Sequence, residues 1–172
     1  MQEIKITVSM RFSNMYDFLL HYNYKGFAGM VGPAFSILAL GALLVSYSVL
    51  TKGQIILLII ASLLFTVINP LLLMLKAAKQ IKLNPTFRDP ILYTLGEDKV
   101  TVTQNEESVS IPWKDVVEVT ETKNNIIVYL SKVRAFVLPK ENMGDQLPKV
   151  KELISRAAKN GKLRLKKVEE KQ

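Results

Sequence analysis

The chain has 172 residues, 49% of them hydrophobic, and 23 Lys and Arg stand against 15 Asp and Glu. That length fits one ordinary domain with a small attachment. The absence of cysteine excludes disulfides, thiolate metal sites and a thiol nucleophile, and fits a reducing compartment.

In chain order, Ile4, Ile6, Val8 and Met10 alternate with Lys5, Thr7 and Ser9, the period of a half-buried strand. In the following FSNMYDFLLHYNYKGF, Met15, Phe18, Leu19 and Tyr22 keep helical spacing. Asn14 and Asp17 stand as in a capping box, with aspartate in the usual place of glutamate. Tyr16, Tyr22, Tyr24 and Phe27 supply the aromatic belt of a membrane–water interface. Residues 14–25 therefore read as an interfacial helix within an N-terminal segment, 1–26.

No Asp, Glu, Lys, Arg or His occurs over 26 residues from Gly26 to Thr51, nor over 23 from Gly53 to Leu75. At about 1.5 Å per residue, either run exceeds a hydrocarbon core of roughly 30 Å. Neither shows the polar face of a soluble core helix. A late start, great length and immediate repetition argue against a signal peptide. The expectation is a transmembrane hairpin over 27–76, with spans at 27–50 and 54–75 and Thr51-Lys52-Gly53-Gln54 at its tip. The tip carries one charge, whereas Arg11 and Lys25 precede the first span and Lys76, Lys79, Lys82 and Arg88 follow the second. This asymmetry puts both termini in the cytoplasm of a multi-pass cell-membrane protein. The N-terminal strand requires the same, because it needs a sheet and the only evident one follows residue 90. Within the spans, Gly29, Gly32, Ser36 and Ala39 form a small-residue stripe for close helix contact. Asn69 would be costly facing lipid, so a packing hydrogen bond to Ser36 is expected.

From Ile91 the pattern becomes short alternating segments: ILYTL, KVTVTQ, SVSIPW, VVEVTET, NIIVYLS and RAFVLP. Such spacing argues for antiparallel all-β structure, and Pro112 and Pro139 sit at strand ends, where a missing N–H is tolerated. GDQLPKVKELISRAAKNGK reads as a closing helix capped by Asp145, with Leu147, Val150, Ile154 and Ala158 on one face and Gly161 as its stop. Residues 84–161 are thus expected to form one small antiparallel β-barrel or sandwich, partly open and plugged by a helix, with a basic tail at 162–172. Trp113, the sole tryptophan, is expected to cover the barrel core.

Of the net charge of +8, a surplus of six lies between Lys149 and Gln172, nine Lys and Arg against three Glu. No aromatic residue interleaves with them, which argues against a nucleic-acid interface. Lys76, Lys79, Lys82, Lys162, Arg164, Lys166 and Lys167 are instead candidates for anionic lipid contact, at about 1 kcal/mol each; the alternative is a solvated helix face and a frayed tail. Catalysis finds little support. His21 is the only histidine and has no visible nucleophile partner. Glu97, Asp98, Glu106, Glu107, Asp115, Glu118 and Glu121 fall at turns or on polar strand faces. Phosphate-loop, dinucleotide and metal-ligand spacings are missing, so neither enzyme activity nor a cofactor is expected.

ITVSMRFSNMYDFLLHYNY, the two adjacent spans, LYTLGEDKVTV, SIPWKDVVEVTETKNNIIVYLSKVRAFVLPKENM and the terminal helix together resemble the YcxB-like bacterial membrane proteins. The most specific part is the stretch WKDVVEV from Trp113 followed by FVLPK from Phe136. The resemblance covers nearly the whole chain, although KLRLKKVEEKQ maps onto no shared motif. It implies two membrane helices and a cytoplasmic domain of pleckstrin-homology-like shape, and it assigns no activity. The expected function is a membrane-anchored, non-catalytic binding or adaptor module at the inner face of a bacterial cytoplasmic membrane. Its expected partners are membrane lipids and another protein. The hairpin would raise the module's effective concentration at the membrane. The candidate partner-binding rim is Asp98, Lys99, Lys123, Asn125, Lys132 and Arg134, on turns of the β domain. An alternative function is an immunity or resistance protein that neutralises a bacteriocin or secreted toxin.

Overall fold

The computed structural model describes residues 3–166. The chain divides into two compact units, Met1–Phe18 with Ile81–Gln172, and Leu19–Gln80.

The helices run through the Leu19–Gln80 unit: α1 (Phe12–Tyr24), which up to Phe18 belongs to the other unit, leads into α2 (Gly26–Ser46), followed by α3 (Lys52–Leu63), a π turn (Leu64–Ile68) and α4 (Asn69–Leu83), which from Ile81 belongs to the other unit again. Gly26 takes a φ of 72°, a conformation costly for any residue with a Cβ, and so lets the chain change direction between α1 and α2. The tip segment is more than a turn. Thr51 Oγ1 accepts from Gln54 N at 3.4 Å and Gln54 Oε1 accepts from Thr51 N at 2.9 Å, the reciprocal cap that starts α3. The second helix runs past the expected end at 75 because Lys76 to Leu83 are mostly strong helix formers. It stops at Asn84, where the following Pro85 disfavours helical backbone. Gly29–Ser46 and Lys52–Leu83, 18 and 32 residues long, contain 18-residue windows of mean hydropathy 1.9 and 2.6, and both are long and apolar enough to cross a membrane.

The other unit contains two four-stranded sheets. One has the order β1 (Ile4–Val8), β2 (Ile91–Leu95), β3 (Lys99–Gln104), β4 (Glu107–Pro112) and is antiparallel throughout. The N-terminal strand joins it as expected, pairing Ile4 with Leu95 and Val8 with Ile91. The second sheet has the order β7 (Ala135–Pro139), β6 (Asn125–Tyr129), β5 (Glu118–Glu121), β8 (Lys162–Arg164). Both sheets and α5 (Leu147–Ala157) contribute to one core, in which Leu95, Val100, Val119, Val128, Leu138, Val150 and Ile154 are almost wholly buried.

Among the described residues the strands form two separate sheets rather than one continuous barrel. Pro112 lacks the N–H that would continue a ladder, and a 3₁₀ turn at Trp113–Asp115 carries the chain from one sheet to the next. Trp113 itself is 2% exposed and seals this corner, its indole N–H donating to Gly96 O at 2.8 Å and its backbone N–H to Asp98 O at 3.0 Å.

Asp145 is not a cap; it lies in a 3₁₀ turn, Gly144–Gln146, and α5 begins at Leu147 with Pro148 in its first turn. Gly161 also differs from its expected role. A Cβ there would lie 2.9 Å from Val116 O, so glycine permits the close approach that seats β8 against β5. The start of the supposed tail is therefore a parallel strand, with Val119 opposite Leu163.

Around this junction lies a buried charge cluster. The Glu121 carboxylate, 5% exposed, meets Lys140 Nζ at 2.8 Å and Lys151 Nζ at 2.9 Å, and accepts from Lys166 N at 2.8 Å. Lys140 also donates to Thr122 O at 2.7 Å. Burial pushes the Glu121 carboxyl upward, but the donors from Lys140, Lys151 and Lys166 outweigh it and hold the carboxyl below its ordinary value. Tyr93, packed 5.9 Å from Phe136, is pushed by burial up to about 12.

Two expectations follow from these groups. Glu121→Gln leaves the buried Lys151 and half-buried Lys140 ammonium groups without this counter-charge and is expected to destabilise this unit by about 3 kcal/mol, read by Trp113 fluorescence during denaturant unfolding of the full chain. Because the folded pKa of Glu121 lies below its ordinary 4.5, its stabilisation is present above that pH and is lost as pH falls through the folded value. The raised Tyr93 hydroxyl acts at the other end, where stability is lost as pH rises above 10 towards about 12. An unfolding midpoint insensitive to both limits would contradict these assignments.

Candidate functional site

The first turns of α1 are pinned to the β5–β6 turn by a carboxylate that the sequence pattern had assigned to helix capping. Asp17 Oδ2 accepts from the Thr122 hydroxyl, from Asn125 Nδ2 at 2.6 Å and from Asn124 N at 3.4 Å. Asn125 Nδ2 also donates to Asn14 O at 3.0 Å. Capping falls to Asn14 alone, whose Oδ1 accepts from Arg11 N at 3.2 Å, so α1 starts at Phe12 rather than at residue 14. Asn125 is fully buried in this cluster and is not a rim residue, because its amide is needed to satisfy the Asp17 carboxylate.

The other rim candidates are exposed but do not form one surface. Asp98 and Lys99 flank the β2–β3 turn, Lys123 lies at the β5–β6 turn, and Lys132 and Arg134 lie at the β6–β7 turn. The last two turns sit at opposite ends of β6, whose five residues span about 17 Å. The β6–β7 tip is internally braced: Ser131 Oγ accepts from Val133 N at 3.3 Å and Arg134 N at 3.1 Å.

The concavity lies elsewhere. An open groove of about 1040 Å³ is lined by Glu3 and Lys5 at the start of β1, Glu97 in the β2–β3 turn, and Lys149, Glu152 and Arg156 on α5, with Ile4 and Leu153 among its apolar lining. β1 is the outer strand of its sheet, so one side of its backbone has no strand partner among the described residues. Sequence reasoning reached only the neighbouring Asp98 and Lys99. The α5 residues read as a solvated polar helix face, and no sequence signal separates such a face from a groove wall.

Among the basic candidates, Lys76, Lys79 and Lys82 are exposed along α4 at three-residue spacing, which keeps them on one side of the helix. Lys162, Arg164 and Lys166 are exposed, with Arg164 Nε 3.3 Å from Glu118 Oε1. Lys167 lies outside the described residues.

The expected Ser36–Asn69 bond is replaced by two others. Ser36 Oγ donates to Ala61 O at 2.8 Å and accepts from Phe65 N at 3.2 Å. Asn69 Nδ2 donates to the Tyr24 hydroxyl at 2.9 Å, and that hydroxyl donates to Phe65 O at 2.8 Å. Reading Tyr24 as part of an aromatic belt hid it as a partner. The small-residue stripe does bring the helices together: a Cβ at Gly32 would lie 2.5 Å from the Phe65 ring.

Residues 95–154, from the end of β2 into α5, match the model of the YcxB-like protein family. The uncharacterized protein YcxB of Bacillus subtilis (strain 168) is 27% identical over 113 residues, which are 64% of this chain. The match spans 61% of that relative's length. No solved structure matches. The matched segment holds β3 to β7 and most of α5, and over it the chain is similar to the YcxB-like family.

Proposed function

We propose that this chain is a membrane-anchored, non-catalytic binding module whose β unit takes an extended peptide segment of another protein. One observation carries the membrane part. Only 11% and 6% of the two apolar windows are buried inside the chain, so their apolar surface needs cover from outside. Lipid supplies that cover over the length these helices have. In this reading the Lys52 tip is extracytoplasmic and both termini are cytoplasmic, with Lys76, Lys79 and Lys82 among anionic headgroups. Two sheets and a closing helix around one core support a pleckstrin-homology-like reading of the β unit. The groove supports a peptide ligand. It sets side chains of both signs beside a strand edge whose backbone donors and acceptors can extend the sheet.

The chain has no native cysteine, so single-cysteine labelling is clean. Lys52→Cys is expected to react with a membrane-impermeant maleimide in intact cells, and Gln146→Cys only after permeabilisation. The reverse pattern, or release of the intact chain by alkaline carbonate, sinks the reading. For the groove, a photo-crosslinker at Glu152 should capture a protein partner in membranes. Lys5→Glu with Lys149→Glu is expected to reduce that adduct about tenfold, the equivalent of about 1.4 kcal/mol. An undiminished adduct places the partner elsewhere.

A further inference from the structure

Three backbone groups disturbed by the π turn at Leu64–Ile68, Ala61 O, Phe65 N and Phe65 O, find side-chain partners outside it. In an unbroken α-helix Phe65 N would donate to Ala61 O. Here the Ser36 hydroxyl stands between them, donating to Ala61 O at 2.8 Å and accepting from Phe65 N at 3.2 Å. Likewise Phe65 O would accept from Asn69 N, but that N–H goes to Leu64 O, and the Tyr24 hydroxyl donates to Phe65 O instead at 2.8 Å. The Asn69 side chain completes the set by donating to Tyr24 at 2.9 Å. One position later, Pro70 has no N–H to offer Thr66 O. Side-chain insertion into the helical ladder is a recognised cause of such a break, and an unpaired backbone group in apolar surroundings is expensive.

We propose that Ser36 and Tyr24 set the rotational register of the hairpin's second helix. By holding the π turn open they absorb one residue of helical advance. They thereby rotate everything after it by about 100° relative to a continuous α-helix. This register decides that Ala77 is fully buried while Lys76 and Ala78 are exposed, and so which way the Lys76, Lys79 and Lys82 row points. Gly32 is part of the same device, because only a residue without a side chain leaves room for the Phe65 ring beside the turn.

The test uses the full chain in detergent or nanodiscs, with single cysteines at positions 62, 63, 76 and 77 and their maleimide reactivity as readout. In the otherwise native chain, protection is expected at the buried positions 62 and 77. With Ser36→Ala and Tyr24→Phe combined, the turn closes and the halves rotate against each other. Protection then passes from 77 to 76, or from 62 to 63 if the later half keeps its packing. Deleting Val67 in that background removes the surplus residue and is expected to restore the native pattern. If the double variant fails to fold, the same deletion should rescue folding, and no rescue overturns the proposal. Protection unmoved in the double variant but shifted in Pro70→Ala would assign the register to the proline and overturn it equally.

Discussion

Everything in the architecture depends on the pairing of β1 with β2. Strand β1 finds its one sheet partner among the described residues only after the helical segment has intervened, in register from Ile4 with Leu95 to Val8 with Ile91. The pairing buries Ile6 and Val8 in the core shared by both sheets and α5. The β unit is therefore built from both ends of the chain, and the helices are an excursion that must return to where it left. In the proposed membrane setting that closure permits only an even number of crossings, a conclusion independent of any charge count.

The elements set by local periodicity were legible in advance. Alternation in Ile4–Val8 and Ile91–Leu95 reads as strand because each residue's face is fixed by a period of two. The uncharged runs read as long helices because no polar face interrupts them. Trp113 was placed correctly as a core cover, since a lone indole beside a strand of β-branched residues has little else to pack on. What stayed hidden involved pairing at a distance. Asp17 and Asn14 fit a capping box, yet the carboxylate serves Thr122 and Asn125 instead. Asn125 looked like a turn residue on a rim, while its amide is one of the most buried polar groups in the fold. The groove escaped for the same reason, since its walls come from β1, the β2–β3 turn and α5.

Charge distribution was misleading in a related way. The basic C-terminal stretch reads as a solvated or lipid-seeking tail, but several of its groups point to the protein's own carboxylates. Lys151 lies on α5 against Glu121, Arg164 on β8 against Glu118, and the Lys166 amide completes the Glu121 cluster. These contacts tie β5, α5 and β8 together, and the surplus offered to any anionic surface is correspondingly smaller than the sequence total suggests. Buried pairs of this kind cost desolvation as well as gaining attraction, so their contribution lies in fixing how these elements sit as much as in net stability.

The separation of β1 from β2 also has a consequence for biosynthesis. The ribosome releases β1 first, and its partner only after both long helices have been made. Until then the strand's apolar face and both its backbone edges are unsatisfied, the condition under which chains are captured by chaperones or by one another. The sheet can close only once the helical excursion is complete, so completion of the β unit is a late event that reports on delivery of everything before it.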